Sequence, residues 1–278
     1  MILAIASGKG GTGKTTVATN LASVLDGVQF IDCDVEEPNA HLFLKPEIYK
    51  TFSVTISVPR IDESKCTYCG KCAKACEFHA ILVFPGKVLV FDELCHGCGA
   101  CSYICPEEAI SEQPREIGKV EIGRSEGIDF IQGVLHIGEP MPSPVIRKEK
   151  TFLDSSKTVI LDAPPGTSCP VVETVKGSDF CLLVTEPTPF GLHDLELAVG
   201  MVRELGVPMG VLINRSNLGD GRIQEFCAAE GIPVLMELPF DERIGRICSE
   251  GGLVVEELEG FREKFLSLYE EILQALEG

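Results

Sequence analysis

The chain has 278 residues, and apolar side chains make up 45% of them, which is enough for a sizeable core and argues against disorder. Acidic residues number 42 and basic residues 24, so the formal net charge is −18. This acidity argues against unspecific binding to nucleic acid or to an anionic membrane, so we expect no nucleic-acid partner and no membrane insertion. Any anion that the protein binds must be held at a site whose local potential is positive.

The N-terminal segment predicts a first strand and not a signal peptide. Residues 1–7 lack a basic region and run directly into a glycine-rich loop. No apolar run approaches the ~20 residues that span a bilayer. We therefore expect a cytoplasmic protein, in which thiols stay reduced and clusters among the 13 cysteines indicate metal.

Short apolar runs alternate with helical patterns in the two outer parts of the chain. This alternation predicts an α/β fold with a doubly wound, mainly parallel sheet. The predicted strands are residues 2–6, 28–31, 159–161, 181–185, 209–213 and 234–238, and the predicted helices are residues 14–25, 192–205 and 222–230.

The middle of the chain differs from the outer parts in composition. Residues 60–110 hold eight cysteines, so we predict an inserted domain there, within an ATPase domain made of residues 1–59 and 111–278. Two short strands are expected near residues 119–122 and 130–135, followed by a loop with Pro140, Pro142 and Pro144. Residues 255–276 predict one amphipathic helix with an acidic outer face. Because membrane anchors need a basic polar face, a helix docked on the domain is the preferred interpretation.

A phosphate-binding loop follows the first strand. Its residues fit G-x-x-x-x-G-K-[ST] between a strand and a helix, where curled backbone places several N–H groups on one phosphate. Lys14 would reach the β- and γ-phosphates of a nucleotide, and the Thr15 hydroxyl would bind Mg²⁺. The predicted nucleotide-binding residues of this loop are Gly8, Lys9, Gly10, Gly11, Thr12, Gly13, Lys14, Thr15 and Thr16.

The second residue of this loop, Lys9, resembles the signature lysine of the MinD, ParA and nitrogenase-iron-protein family. The resemblance implies that Lys9 crosses an ATP-dependent homodimer and acts on the partner's nucleotide. It also implies that Asp34, after the second strand, orients the attacking water in the segment called switch I. Asp162, at the end of a later strand, matches the family's magnesium-binding acid in switch II; Thr15, Asp34 and Asp162 are the expected magnesium residues.

Two further segments carry the same resemblance. Asn214 after a late strand is similar to the family's adenine-reading asparagine, and Pro239 lies in a segment similar to the loop that closes over the base. Asparagine is also common after strands for purely structural reasons. The resemblance covers residues 1–44 and 155–278, and it implies binding of ATP or ADP.

Eight cysteines form two runs with identical spacing, which indicates duplication of one small unit. Each run fits the C-x₂-C-x₂-C-x₃-C pattern of bacterial ferredoxins, in which the fourth cysteine ligates the other cluster. Two [4Fe-4S] clusters are expected, one on Cys66, Cys69, Cys72 and Cys105 and one on Cys95, Cys98, Cys101 and Cys76.

The first run departs from the ferredoxin pattern at one position, and one alternative metal remains. Glu77 stands where the first run would normally have a proline. Two Cys₄ zinc sites are the alternative, although zinc sites usually space two C-x₂-C pairs widely and add no third cysteine to a run.

Two functions fit these patterns. The first is an ATPase whose nucleotide state controls electron transfer or iron–sulfur cluster handling, with an unidentified redox or iron–sulfur protein as partner. The second is an iron–sulfur carrier that binds nucleotide as a structural switch with negligible turnover. Steady-state ATP hydrolysis separates them.

Overall fold

A computed structural model describes residues 1–277; Gly278, the last residue of the predicted ATPase domain, lies outside the described residues. The strands are β1 Ile2–Ala6, β2 Gln29–Asp32, β3 Glu47–Ile61, β4 Ile81–Phe84, β5 Lys87–Val90, β6 Ile110–Ser125, β7 Ile128–Leu135, β8 Val159–Asp162, β9 Phe180–Thr185, β10 Met209–Asn214 and β11 Val234–Leu238. The α-helices are α1 Lys14–Val24, α2 His41–Leu44, α3 Lys71–Ala75, α4 Ala100–Ile104, α5 Ser143–Lys150, α6 Cys169–Val175, α7 Pro189–Glu204, α8 Arg222–Glu230, α9 Glu242–Ser249, α10 Val254–Glu257 and α11 Phe261–Glu277.

Within residues 1–277, nine strands form one sheet in the order β11-β10-β9-β1-β8-β2-β7-β6-β3. The strands from β11 to β7 run parallel to one another, and β6 and β3 continue the sheet in antiparallel fashion. The predicted α/β fold with a mainly parallel sheet is confirmed.

The sheet has an apolar core on each face, as a doubly wound arrangement requires. Successive side chains of a strand point to opposite faces, and β1 shows this alternation. Its Leu3 and Ile5 join the core that also contains residues of α1 and α11, whereas Ala4 and Ala6 join the core with residues of α5, α6 and α7. The central strands are therefore buried on both sides, which explains their unbroken apolar runs.

The sheet edge beyond β7 differs from the prediction. β3 was not predicted, and the two predicted short strands extend to β6 Ile110–Ser125 and β7 Ile128–Leu135. The reason lies in the sequence of β3, whose first half is largely exposed and carries no apolar alternation; inward side chains begin only at Val54, Ile56 and Val58. An edge strand of this kind is held mainly by main-chain pairing.

Two helical predictions need correction. Pro144 does not lie in a loop but in the first turn of α5, which has no intrahelical use for the missing proline N–H, and Pro142 is the residue that precedes this helix. The predicted single C-terminal helix is two helices, α10 and α11, separated by a break that ends at Gly260. The φ of Gly260 is +79°, which a continuous right-handed helix cannot contain.

The cysteine-rich segment leaves the sheet at the end of the β3–β6 ribbon. Ile61 and Ile110 form the last residue pair, and Asp62 N donates to Ala109 O at 2.8 Å. Gly118 of β6 lies opposite Leu135, at the end of β7, so the ribbon beyond it projects past the carboxyl edge of the parallel strands. The phosphate-binding loop lies at this same edge, because it follows β1.

The segment itself contains α3, α4 and the separate β4–β5 hairpin. Among residues 1–277, the helices are all too short or too polar to span a bilayer.

Candidate nucleotide and cysteine sites

The predicted phosphate-binding loop connects β1 to α1. Gly11 and Gly13 have φ values of +80° and +90°, which glycine adopts without strain. A side chain at Gly8 would collide with the main-chain carbonyl of Asp194 in α7. The loop borders an open cleft of about 900 Å³ whose lining includes Lys9, Gly10, Gly11, Thr12, Gly13, Lys14, Thr15, Thr16 and Asp34. The loop after β1 and the loop after β2 thus share one cleft.

Lys14 lies at the centre of this site and is paired with an acid. Its Nζ donates to Asp162 Oδ1 at 2.6 Å, and the two side chains are 7% and 0% exposed. Burial by itself lowers the pKa of Lys14, but the charge and hydrogen bond of Asp162 and the charges of Asp32 and Asp34 together raise it above its ordinary value. The lysine predicted to bind phosphate therefore has a protein counter-ion in this structure.

Asp32 belongs to the site although the sequence interpretation assigned it no role. It lies beside Asp162 on the neighbouring strand, with no exposed surface. Its carboxylate accepts backbone N–H bonds from Asp34, Asn39 and Ala40 at 3.0–3.1 Å. Burial, then the charge of Asp162, raises the pKa of Asp32 to about 7. Asp32 thereby fixes the loop that carries Asp34; its position as an acid ending a buried strand was the available signal.

Two of the three residues expected to bind magnesium line the first cleft, and the third, Asp162, is the partner of Lys14. Asp162 Oδ2 is buried and has no hydrogen-bond partner among residues 1–277, while Thr15 and Asp34 line the adjacent cleft. Hard divalent cations select oxygen donors of this kind, so these residues fit Mg²⁺. Burial raises the pKa of Asp34 to about 6, with Asp162 and Glu36 adding to the shift and Lys14 opposing it.

A second cleft, of about 700 Å³, adjoins the loop on the side of α9 and α11. Asn214 and Pro239 line it together with apolar side chains such as Ile244 and Phe261, a lining suited to a nucleotide base. Asn214 also has a structural role. Its Nδ2 donates to Thr12 O at 2.8 Å, and its Oδ1 accepts from Arg215 N at 2.9 Å. The two predicted base-side residues therefore lie beside the phosphate loop.

Lys9 points toward an acid of its own chain. Its Nζ donates to Glu186 Oε1 at 2.5 Å, and Arg215 Nη1 donates to Glu186 Oε2 at 2.7 Å. Glu186 follows β9 and its side chain is 11% exposed. The sequence interpretation gave neither acid nor arginine a role: Glu186 belongs to no recognisable motif, and Arg215 was noted only as the residue after Asn214.

The eight predicted cluster cysteines divide between two cavities. One is lined by Cys66, Cys69, Cys72 and Cys105. The other is lined by Cys76, Cys95, Cys98 and Cys101. Each cavity thus combines three cysteines of one run with the fourth of the other. Within residues 1–277 no three His, Cys, Asp or Glu side chains converge closely enough for a single metal ion.

The two cysteine runs also share backbone details at equivalent positions. Tyr68 N and Gly97 N donate to Cys66 Sγ and Cys95 Sγ, both at 3.4 Å. Ala80 N and Ala109 N donate to Cys76 Sγ and Cys105 Sγ at 3.3 and 3.4 Å. Left-handed residues recur in the same way, in the pairs Tyr68 and Gly97, Gly70 and Gly99, and His79 and Glu108. Backbone N–H groups directed at sulfur stabilise thiolate ligands.

Comparison with known proteins places these features in a family. Residues 3–254 match the CobQ/CobB/MinD/ParA nucleotide-binding domain. An uncharacterised protein of Methanocaldococcus jannaschii is 32% identical over 257 residues, which is 90% of each chain. An iron–sulfur cluster carrier protein of Aquifex aeolicus is 25% identical and is matched over 91% of this chain and 61% of its own length.

The fold comparison agrees with the sequence match. The cell division ATPase MinD of Pyrococcus furiosus superimposes with a TM-score of 0.60 at 20% identity, covering 98% of both chains. At that identity the likeness shows the fold alone. The family assignment rests on the match over residues 3–254: the chain belongs to the CobQ/CobB/MinD/ParA family of nucleotide-binding proteins.

Proposed function

We propose that this protein is a magnesium-dependent ATPase that works as a homodimer and carries two [4Fe-4S] clusters in an inserted ferredoxin domain, residues 60–110. Its nucleotide state would control electron transfer or cluster handling with an iron–sulfur or redox partner. Family membership supports nucleotide binding, and relatives named iron–sulfur cluster carrier proteins support the link to clusters.

The observation that carries the proposal is the division of eight cysteines between two cavities in a three-plus-one pattern. Soft thiolates select iron–sulfur clusters or zinc, and exchange of the fourth ligand between two runs is the ferredoxin arrangement. The repeated N–H bonds to sulfur are compatible with clusters, since such bonds tune cluster potential. Bound clusters would supply one-electron chemistry.

The nucleotide site supports in-line attack of water on the γ-phosphate. The backbone N–H groups of the phosphate loop and Lys14 would bind the phosphates, and Asp34 would orient the water. With a pKa of about 6, Asp34 is ionised above that pH and can accept a hydrogen bond from the water. Mg²⁺, which Thr15, Asp34 and Asp162 would hold, neutralises phosphate charge when bound. Lys9 of the partner subunit would stabilise the charge that develops during transfer.

The carrier with negligible turnover remains the second candidate, and one contact favours it. Lys9 is paired with Glu186 of its own chain, so the lysine expected to act in the dimer is not directed toward a second nucleotide in this state. A protein that stayed in this state would bind ATP and hydrolyse it very slowly.

Anaerobic purification tests the cluster part of the proposal. Reconstituted protein should contain about eight iron and eight acid-labile sulfides per chain. Two zinc ions per chain and no labile sulfide would contradict it. Steady-state ATP hydrolysis by the same preparation then separates the candidates, since turnover above the rate of the Lys14→Ala variant supports the ATPase and equal rates support the carrier.

A further inference from the structure

Glu186 joins two segments that border the nucleotide clefts. Its Oε1 accepts from Lys9 of the phosphate loop at 2.5 Å, and its Oε2 accepts from Arg215, which follows β10, at 2.7 Å. Arg215 lines both the open cleft beside the phosphate-binding loop and the second cleft beside α9 and α11. The Glu186 side chain is 11% exposed, whereas Lys9 and Arg215 are 29% and 44% exposed. A nearly buried carboxylate is therefore shared by two cations that reach it from the surface.

We infer that Glu186 is a positioning residue that retains Lys9 within its own protomer until the nucleotide of a second protomer takes the lysine over. This inference rests on the proposed function, because it assumes that Lys9 acts across a dimer. Glu186 would then oppose dimer formation at low ATP, and the phosphate of the partner's nucleotide would compete with its carboxylate for one ammonium group.

The second cation makes this exchange feasible. Removing one partner from a buried ion pair is costly when it leaves an uncompensated charge. If Lys9 moves away, Arg215 still donates to Glu186 Oε2, so the carboxylate keeps a counter-ion. Lys9 is also the partly exposed member of its pair, so it can leave without opening the core. Lys14 differs from Lys9 in this respect, since its side chain is only 7% exposed and its partner Asp162 is fully buried.

The first test uses nucleotide-free protein and does not depend on ATP chemistry. An ammonium group bound to a carboxylate must leave it before an acylating reagent can react, so labelling of Lys9 by an amine-reactive ester should be slow. Mass spectrometry should show labelling at Lys9 several-fold faster in Glu186→Gln than in the wild type. Glu230→Gln is the matched control, because Glu230 pairs with Arg203 on the surface at 2.5 Å. Equal Lys9 rates in all three proteins would overturn the inference.

The second test follows dimer formation by light scattering with ATP and Mg²⁺. Loss of a competing, partly exposed ion pair should let Glu186→Gln dimerise at about three- to tenfold lower protein concentration. The gain should disappear in the Lys9→Ala background, and Glu186→Asp, which keeps the charge, should behave like the wild type. A gain that persists without Lys9, or no gain at all, would overturn the inference.

The two tests also separate this inference from the proposed function. Wild-type protein that binds no ATP would contradict the proposed function itself. Wild type that binds ATP and dimerises, with Glu186→Gln indistinguishable from it, would remove only the role of Glu186.

Discussion

Lys14 Nζ lies 2.6 Å from Asp162 Oδ1, and both side chains are buried at the carboxyl edge of the sheet. The lysine that would bind phosphate and the acid that would serve magnesium therefore neutralise each other. Nucleotide and magnesium binding together would give each member of this pair a new counter-ion. The same two residues would therefore affect both the stability of the protein and its binding of nucleotide and magnesium.

Replacement of Lys14 should affect both properties. Lys14→Ala removes the phosphate ligand, so we expect no measurable ATP binding. It also leaves the Asp162 carboxylate buried and unpaired, which should destabilise the fold by about 3–5 kcal/mol. The Lys14→Ala/Asp162→Asn double variant should recover much of this stability without recovering ATP binding. Thermal melting and fluorescent ATP-analogue titration measure the two effects. A stable Lys14→Ala protein would show that the pair contributes little.

Replacement of Lys9 should separate binding from hydrolysis. Because Lys9 is expected to act on the partner's nucleotide, Lys9→Ala should bind ATP within about twofold of the wild-type affinity and hydrolyse it at least tenfold more slowly. Lys9→Arg keeps the charge and controls for the loss of the side chain alone. Hydrolysis by Lys9→Ala at the wild-type rate would remove the role proposed for this residue.

Glu149 predicts how stability depends on pH. This residue of α5 has no exposed surface, and burial, followed by the charge of Asp32, raises its pKa well above the usual 4.5. The folded state therefore keeps a proton that the unfolded state has lost, and the contribution of Glu149 to stability must fall as pH rises above about 4.5. One such group contributes up to about 1.4 kcal/mol per pH unit.

The Glu149→Gln variant removes this contribution. We expect its melting temperature to exceed that of the wild type by a margin that grows from pH 5 to pH 8. In a chain of this size, each kcal/mol of unfolding free energy shifts the melting temperature by about 2–4 °C. The exposed Glu230→Gln control should show no such trend. Parallel wild-type and Glu149→Gln curves across this range would mean that Glu149 is ionised in the fold.

The elements that the sequence predicted well are those whose local pattern and burial agree. β1, β9 and β10 are buried on both faces and appear as unbroken apolar runs, and the phosphate loop follows from glycine spacing. The ribbon strand β3 was missed because its register comes from pairing with β6, which lies on the far side of the cysteine-rich segment in the sequence. Pairing with a strand that is distant in the sequence requires no periodic pattern within β3 itself.

The same distinction applies to the sites. The cysteines and the phosphate loop lie within short motifs, so spacing predicted which residues would meet. The contacts of Lys9 with Glu186 and of Lys14 with Asp162 join residues 177 and 148 positions apart. Only the sheet order, which places β9 and β8 on either side of β1, brings these acids to the loop.

Replacement of a fourth cysteine should affect the cluster of the other run. Cys105 lines the cavity of Cys66, Cys69 and Cys72, so Cys105→Ala should perturb that cluster and leave the second one intact. Cys76→Ala should do the reverse. Iron analysis should give about four iron per chain in each variant instead of eight, and the magnetic coupling between two reduced clusters should disappear from the EPR spectrum. Cys181→Ala, a buried residue of β9, is the control. A loss confined to the residue's own run would contradict the crossed arrangement.

A continuous set of contacts joins the nucleotide site to the cysteine segment. Leu135 N donates to Val35 O, next to Asp34, at 2.8 Å, and His136 N donates to Ile117 O of the ribbon at 2.9 Å. Arg115 of the ribbon donates to Glu139 through its two terminal guanidinium nitrogens, and Arg60 donates to Asp92, near Cys95, at 2.8 Å. A movement of the Asp34 loop with the γ-phosphate would therefore displace the ribbon that carries the cysteines.

This connection predicts that ATP and the clusters influence each other. Linkage requires reciprocity: if ATP shifts the cluster potential or cluster release, reduction or loss of the clusters must shift ATP affinity by the same factor. The expected coupling free energy is on the order of 1–3 kcal/mol. ATP affinity should be measured for oxidised, reduced and cluster-free protein under one set of conditions. Glu139→Gln, which weakens the bidentate pair with Arg115, should reduce the differences, whereas Glu230→Gln should preserve them. Equal affinities in the three wild-type states would mean that the cysteine segment is carried by the ATPase without being coupled to it.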